Sequence, residues 1–266
     1  MDRRTFLSLA AVSPLLAKER FVLKDNIFIP KDALYSHKKL EPIKNDLFIE
    51  DDERAIFASA RNRIRRVKKF VGYGNFNILS FDSLLYYGRN YSSIGKFPKK
   101  ELELLDKLFY EDPTKYGFYG KKISSSITTR ISKKHVKKVP RTGHYLFKGK
   151  ALDDYKRMRK DIGKNLILTS GVRSVVKQMS LYMDKIYSLG GNITKASYSL
   201  APPAYSYHSI KDFDVGKKGF GYDNFTERFA QTSEFRELKK LSYISMRYEK
   251  NNKDGVRYEP WHVKVI

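Results

Sequence analysis

Histidine is scarce in this chain of 266 residues: there are five, at His37, His135, His144, His208 and His262. Two of them stand near carboxylates. His262 closes the stretch "EPWH", three residues after Glu259, and His208 lies in "SYHSIKDFD", six residues before Asp214. A third stretch, "TSGVRSVVKQ", puts Arg173 just after a short apolar run and at the start of a helical pattern. There is no cysteine, which excludes disulfides and thiolate sites, so any metal must rest on His, Asp or Glu. His208, Asp214 and His262 offer two neutral nitrogens and one charge, enough for a catalytic zinc that keeps an open position for water. Such a metal lowers the pKa of its water to roughly 7, and a further carboxylate then carries the proton to a leaving amine. Glu259 is the candidate for that role. Positions three apart on a regular strand face opposite sides. Pro260 cannot donate to a ladder and marks a bulge or edge, and a bulge there would turn Glu259 and His262 to one side. Arg173, at a helix N-terminus, joins a fixed charge to free backbone donors; that suits an oxyanion or a substrate carbonyl or carboxylate. Ser206, two residues before His208, is spaced to hydrogen-bond a terminal carboxylate.

The elements that must position these residues are legible around them. A helix is predicted over 151–161, stopped at Gly163. "NLILTSG" reads as a short buried strand ending in a turn. "SVVKQMSLYMDKIYSLGG" reads as a helix with Val176, Met179, Met183 and Ile186 inward and a stop at Gly190-Gly191; its methionines are core, not metal ligands. The final stretch reads as two strands around a turn at Asp254-Gly255. Upstream, residues 51–71 carry a helix pattern with Ile56, Ala60, Ile64, Val67 and Val71 inward and a solvated basic face. A second helix is predicted over 99–110, with Leu102, Leu105 and Leu108 inward. His37, His135 and His144 lack nearby carboxylates and read as surface or core residues. Strands and helices that alternate without regular βαβ units predict an α+β fold with an antiparallel sheet.

Lysine and arginine number 53 against 29 acids, a formal charge of +24. That balance suits a nucleic acid, lipid head groups or an anionic cell-wall polymer. No zinc-finger cysteines, RNP signature or basic zipper supports nucleic acid, and none is expected as a partner. The opening "MDRRTFLSLAAVSPLLAKER" sets Arg3-Arg4 before an apolar run from Phe6 to Leu16, too short to span a bilayer. It reads as a signal peptide over residues 1–17, close to the twin-arginine type. The mature protein is therefore expected in the periplasm, without stable membrane insertion.

Taken in order, "SGVRSVVKQ", "SYHSIKDFD" and "EPWH" resemble the three signature blocks of the VanY-type D-alanyl-D-alanine carboxypeptidases, zinc D,D-peptidases that share a fold with the hedgehog signalling domain. The resemblance covers about residues 150–266. It implies a hedgehog/D,D-peptidase-like antiparallel sheet with flanking helices over 151–266, preceded by an N-terminal extension over 18–150. It implies Zn2+ on His208, Asp214 and His262, with Glu259 as catalytic base. Arg173 would contact the substrate or transition state, and Ser206 and Gln178 would line the pocket. The distance from His208 to Asp214 is one position shorter than in the commoner family block, and Lys211 stands near its glycine position. Asp212 and Asp214 both remain candidates for the metal; "DFDVG" matches the family's apolar-Asp-apolar strand and favours Asp214. The activity implied is removal of a terminal D-alanine from peptidoglycan stem peptides. L,D-carboxypeptidase or endopeptidase action on the same polymer, or a non-catalytic wall-binding module, are the alternatives.

Overall fold

The computed structural model describes residues 46–266; the signal-peptide expectation for residues 1–17 and His37 lie outside the described residues. The helices are α1 (Arg54–Val71), α2 (Tyr73–Phe76), α3 (Phe81–Asn90), α4 (Lys99–Tyr110), α5 (Lys150–Asp161), α6 (Val175–Ser188), α7 (Ile193–Ser199) and α8 (Ser233–Leu238). The strands are β1 (Val136–Lys138), β2 (Tyr145–Phe147), β3 (Leu166–Ser170), β4 (Phe213–Lys217), β5 (Ile244–Tyr248) and β6 (Glu259–Val265). β1 and β2 form a small hairpin, and the other four make an antiparallel sheet in the order β3-β4-β6-β5. The chain is thus α+β, as its pattern predicts. No helix of the described residues is long and apolar enough to cross a membrane.

Strand alternation divides the sheet into two faces. Leu166 and Leu168, Phe213 and Val215, Met246, and Val263 and Val265 point to one side and pack with Tyr155 and Met158 of α5. The in-between positions of β4 and β6, Asp214 and His262, point to the other side. That side is closed by α6, which is buried nearly all round: Val175, Val176, Met179, Tyr182, Met183 and Ile186 belong to a second core shared with α1 and α4. Ser174 caps α6, its hydroxyl accepting from the backbone N–H of Lys177. The helix therefore starts immediately after Arg173.

The inward stripe of α1 differs from its predicted one. Phe57, Ala60, Ile64 and Val67 are buried, whereas Ile56 and Val71 are only partly so. The stripe is turned towards Phe57 because α1 packs against both α4 and α6. For the same reason two residues expected on its solvated basic face are buried. Lys68 stands over the ring of Phe76, and Arg61 forms an ion pair with Asp184 of α6, 2.6 Å long, with both side chains less than one-tenth exposed. α3, α7 and α8 are short helices that the periodicity of the sequence does not announce.

The Arg61–Asp184 pair locks the N-terminal helices to the helix that follows Arg173. Removing one partner leaves the other charge buried and uncompensated, which typically costs about 3–5 kcal/mol. Asp184→Asn, which would leave Arg61 buried without its acid, is expected to destabilise the protein by about that amount. Urea denaturation of the variant and the parent measures it.

Candidate metal centre and catalytic cleft

Three elements bring the predicted ligands together. β4 and β6 are paired so that Asp214 lies directly opposite His262. His208 arrives on a short 3-10 turn, Tyr207–Ser209, just before β4. His208 Nε2 is 3.3 Å from Asp214 Oδ1, and His262 Nδ1 is 3.6 Å from the same oxygen. The three candidate ligand atoms lie within 4.8 Å of one another, and all three residues are buried. His208 Nε2 and Asp214 Oδ1 have no hydrogen-bond partner. Two converging imidazoles and one carboxylate, with His208 Nε2 and Asp214 Oδ1 left unpartnered, fit a divalent metal such as zinc.

The surroundings fix which atom of each residue faces inward. His208 Nδ1 lies 2.9 Å from the carbonyl oxygen of Gly171; donating there leaves Nε2 with its lone pair towards the cluster. Gly171 is constrained in turn, because a Cβ on it would fall 2.1 Å from the carbonyl of Tyr145. His262 is braced the other way round. Its Nε2 faces Asp212 Oδ2 at 3.4 Å, so Nδ1 turns to the cluster. Asp212 is fully engaged in that bracing: Oδ2 also accepts from Arg247 at 2.7 Å, and Oδ1 accepts from the backbone N–H of Val265. Asp214, not Asp212, lies in the cluster.

Glu259 reaches the cluster through a bulge. Met246 faces Val263 and Tyr248 faces Glu259, so the single residue Arg247 of β5 spans Pro260, Trp261 and His262 of β6. The extra residues at Pro260 break the strict alternation, and Glu259 Oε2 comes within 3.3 Å of His262 Nδ1. The ring of Tyr248 stands edge-on to His262 at 5.0 Å.

The charges respond to this packing. Burial, then the Arg173 charge, pushes the His208 pKa down to about 4, so this imidazole is neutral at pH 7. Burial opposes charge on His262 as well, but its contacts with Asp212 and Glu259 and the nearby Asp214 outweigh it and raise the pKa to about 9. Burial also disfavours ionised Asp214, yet His208 and Arg173 hold its carboxyl well below the usual range.

The remaining predicted residues line one cleft of about 710 Å³ with the cluster. Arg173 donates to Ser170 Oγ at 3.0 Å and to Asp214 Oδ2 at 2.6 Å, so it braces the ligand carboxylate from the side opposite the cluster. Gln178 donates to the carbonyl of Ala201 at 2.6 Å and turns its own carbonyl towards Arg173 at 3.5 Å; its amide acts on the wall of the cleft. Ser206 is buried in the same wall. Sequence reasoning missed Tyr248 and the carbonyl of Gly171, and it passed over His144, which is buried and lines the cleft, while His135 stays outside it. Nothing local marks Tyr248 or Gly171. Asp212 was legible, since it stands two residues from Asp214 and period-2 alternation sends both the same way from the chain.

The bracing predicts two different losses. Asp214→Asn should abolish high-affinity uptake of Zn2+, whereas Asp212→Asn should retain it with about 10- to 100-fold weaker affinity, the usual cost of an outer-shell change. Competition with a chromophoric chelator measures both.

Residues 146–266 match the family model VanY, described as D-alanyl-D-alanine carboxypeptidase. No curated protein matches the chain. Among solved structures, a D,D-pentapeptidase VanY variant from a VanB-type vancomycin-resistance cassette, in complex with Zn(II), is 19% identical with a TM-score of 0.39, covering 56% of this chain and 88% of its own. VanYB in complex with D-alanine-D-alanine is 19% identical with a TM-score of 0.40, covering 57% of this chain and 86% of its own. The LD-carboxypeptidase LdcB is 24% identical with a TM-score of 0.40, covering 56% of this chain and 68% of its own. The segment that supplies Arg173, His208, Asp214, Glu259 and His262 lies within residues 146–266, the part of the chain that matches the VanY family model.

Proposed function

We propose that this protein is an exported zinc carboxypeptidase that removes a terminal D-alanine from peptidoglycan stem peptides. The observation that carries the reading is the meeting of His208 Nε2, Asp214 Oδ1 and His262 Nδ1 beside the Glu259 carboxylate in one cleft. A binding module has no need of the carboxylate, whereas a hydrolase needs it to move a proton.

His208, Asp214 and His262 would hold the zinc. Bound there, it supplies a Lewis acid that polarises the scissile carbonyl and brings the pKa of a water to about 7. Glu259 accepts the proton of the attacking water and returns it to the departing amine. Its position on the bulge keeps it next to the cluster without making it one of the three ligands. Arg173 holds Asp214 with part of its guanidinium and presents its remaining N–H groups to the scissile carbonyl or the terminal carboxylate. Ser206 is the candidate for a hydrogen bond to that carboxylate, and Gln178 positions Arg173 and the Ala201 segment.

In this reading residues 1–17 are a twin-arginine signal that delivers the protein to the periplasm. Residues 18–150 are an N-terminal extension, and residues 151–266 are the peptidase core. The Arg3-Arg4 pair before a short apolar run supports the export route. Arg3→Lys with Arg4→Lys should leave the protein in the cytoplasm on cell fractionation; undiminished periplasmic delivery would refute that route.

Glu259→Gln tests the chemistry. The variant should keep its zinc, and release of D-alanine from pentapeptide muropeptides, followed by mass spectrometry, should fall by about two to four orders of magnitude. Unchanged turnover would assign the proton transfer to another group. A parent that binds muropeptides and cleaves none of them would replace the enzyme by a binding module. Release from tetrapeptides alone would move the specificity to the L,D bond.

A further inference from the structure

The cleft continues along α6, and there the chain places a buried lysine whose amine has no ion pair or hydrogen bond among the described residues. Lys177, Leu181, Asp184 and Lys185 follow one helical stripe and all line the cleft. Lys177 is 4% exposed. Among the described residues its ammonium forms no hydrogen bond or ion pair; its neighbours are the rings of Tyr73 and Phe76, with centroids 4.7 Å and 6.0 Å from Nζ. Asp184, on the same stripe, gives Oδ1 to Arg61 and acts on Lys177 only through its charge, with no ion pair between them. Beside Lys177, His144 is 7% exposed and also lines the cleft. Its Nε2 is 3.5 Å from the Tyr73 hydroxyl, and its Nδ1 has no partner.

Tyr73 and His144 both come from outside residues 146–266. They are held in place by the segment just after α2. Asn77 donates its side-chain amide to the carbonyl of Gly143 at 2.9 Å, and its own carbonyl accepts from Ser174, the cap of α6. Gly143, at φ +73°, packs against the Tyr73 ring, where a Cβ would come within 3.0 Å. The wall is therefore built, and it presents a lysine amine and an imidazole nitrogen without hydrogen-bond partners among the described residues.

Burial, with the Lys68 and Arg173 charges, holds the Lys177 pKa well below the usual lysine range, and an incoming carboxylate would favour the ammonium by pairing with it. We propose that Lys177, with Tyr73 and His144, forms an anion subsite on the α6 wall of the cleft that takes a carboxylate carried by the bound peptide. A single lysine flanked by aromatic groups matches a monoanion. The inference rests on the peptidase reading only for the identity of the carrier. Stem-type peptides offer the carboxylate from two sources, the chain terminus and an acidic side chain.

The test uses the zinc-loaded full chain carrying Glu259→Gln, with and without Lys177→Met, and isothermal titration calorimetry. Three probes separate the sources: acetyl-L-Lys-D-Ala-D-Ala, its C-terminal amide, and the amide with L-Glu in place of L-Lys. Lys177→Met should weaken binding of one carboxylate-bearing probe by about tenfold or more and leave the neutral-ended lysine amide unchanged. Loss on the first probe assigns the terminal carboxylate, and loss on the third assigns the side-chain carboxylate. Lys177→Arg should retain the preference. Lys177→Met should melt no lower than its parent, because it removes a buried charge, so a folding defect is separable from a lost contact. Equal affinities with and without Lys177→Met, or equal weakening of all three probes, would overturn the subsite. Hydrolysis of the first probe by the parent chain is scored separately: its absence would defeat the peptidase reading while these binding differences still decide the subsite.

Discussion

The pairing of Asp214 with His262 across β4 and β6 is the contact on which the site depends. Two antiparallel strands place opposed side chains close together on one face, and this pair points away from the apolar core that Phe213 and Val263 fill on the other face. A one-residue slip of either strand would bury the carboxylate among leucines and valines and send the apolar residues into the cleft. The register of the ladder and the makeup of the candidate metal centre are therefore one constraint, enforced by the hydrophobic alternation on both sides of the polar pair.

Burying so many ionisable groups has to be compensated locally. Asp214 is held by Arg173 on one oxygen, leaving the other to the cluster. His262 is set between Asp212 and Glu259, and Asp212 is itself tied to Arg247 and the Val265 backbone. Each candidate ligand atom thus has a second group that decides its direction, the arrangement by which metal sites fix ring orientation and raise ligand basicity. The same network explains why Arg173 stands just before α6. The Ser174 cap fixes where the helix begins, α6 is locked to α1 through Asp184 and Arg61, and the N-terminal helices thereby stabilise the guanidinium that braces Asp214.

Much of this was legible in the residues. The scarce histidines beside carboxylates picked out His208, Asp214, Glu259 and His262, and the proline between the last two suggested the bulge that the β5–β6 pairing contains. Helix and strand periods located α4, α5, α6, β3 and the final two strands. The illegible parts depend on contacts distant in sequence. Burial of Arg61 and Lys68 on α1 follows from packing against α6, more than a hundred residues away, and no local pattern distinguishes them from solvated charges. His144 looked inert because no acid is near it in the chain, although the β1–β2 hairpin carries it into the cleft. The division of labour between Asp212 and Asp214 required the positions of Arg247 and Val265.

The central claim is that the metal is held by one particular atom of each of three residues. A crystal structure of the zinc-loaded protein, with anomalous data at the zinc edge, tests it most directly. The account predicts one strong peak about 2.0–2.2 Å from His208 Nε2, Asp214 Oδ1 and His262 Nδ1, with the Glu259 carboxylate nearby and unligated. A peak coordinated by Asp212 or by His262 Nε2, or a zinc bound elsewhere with the cluster left empty, would contradict it.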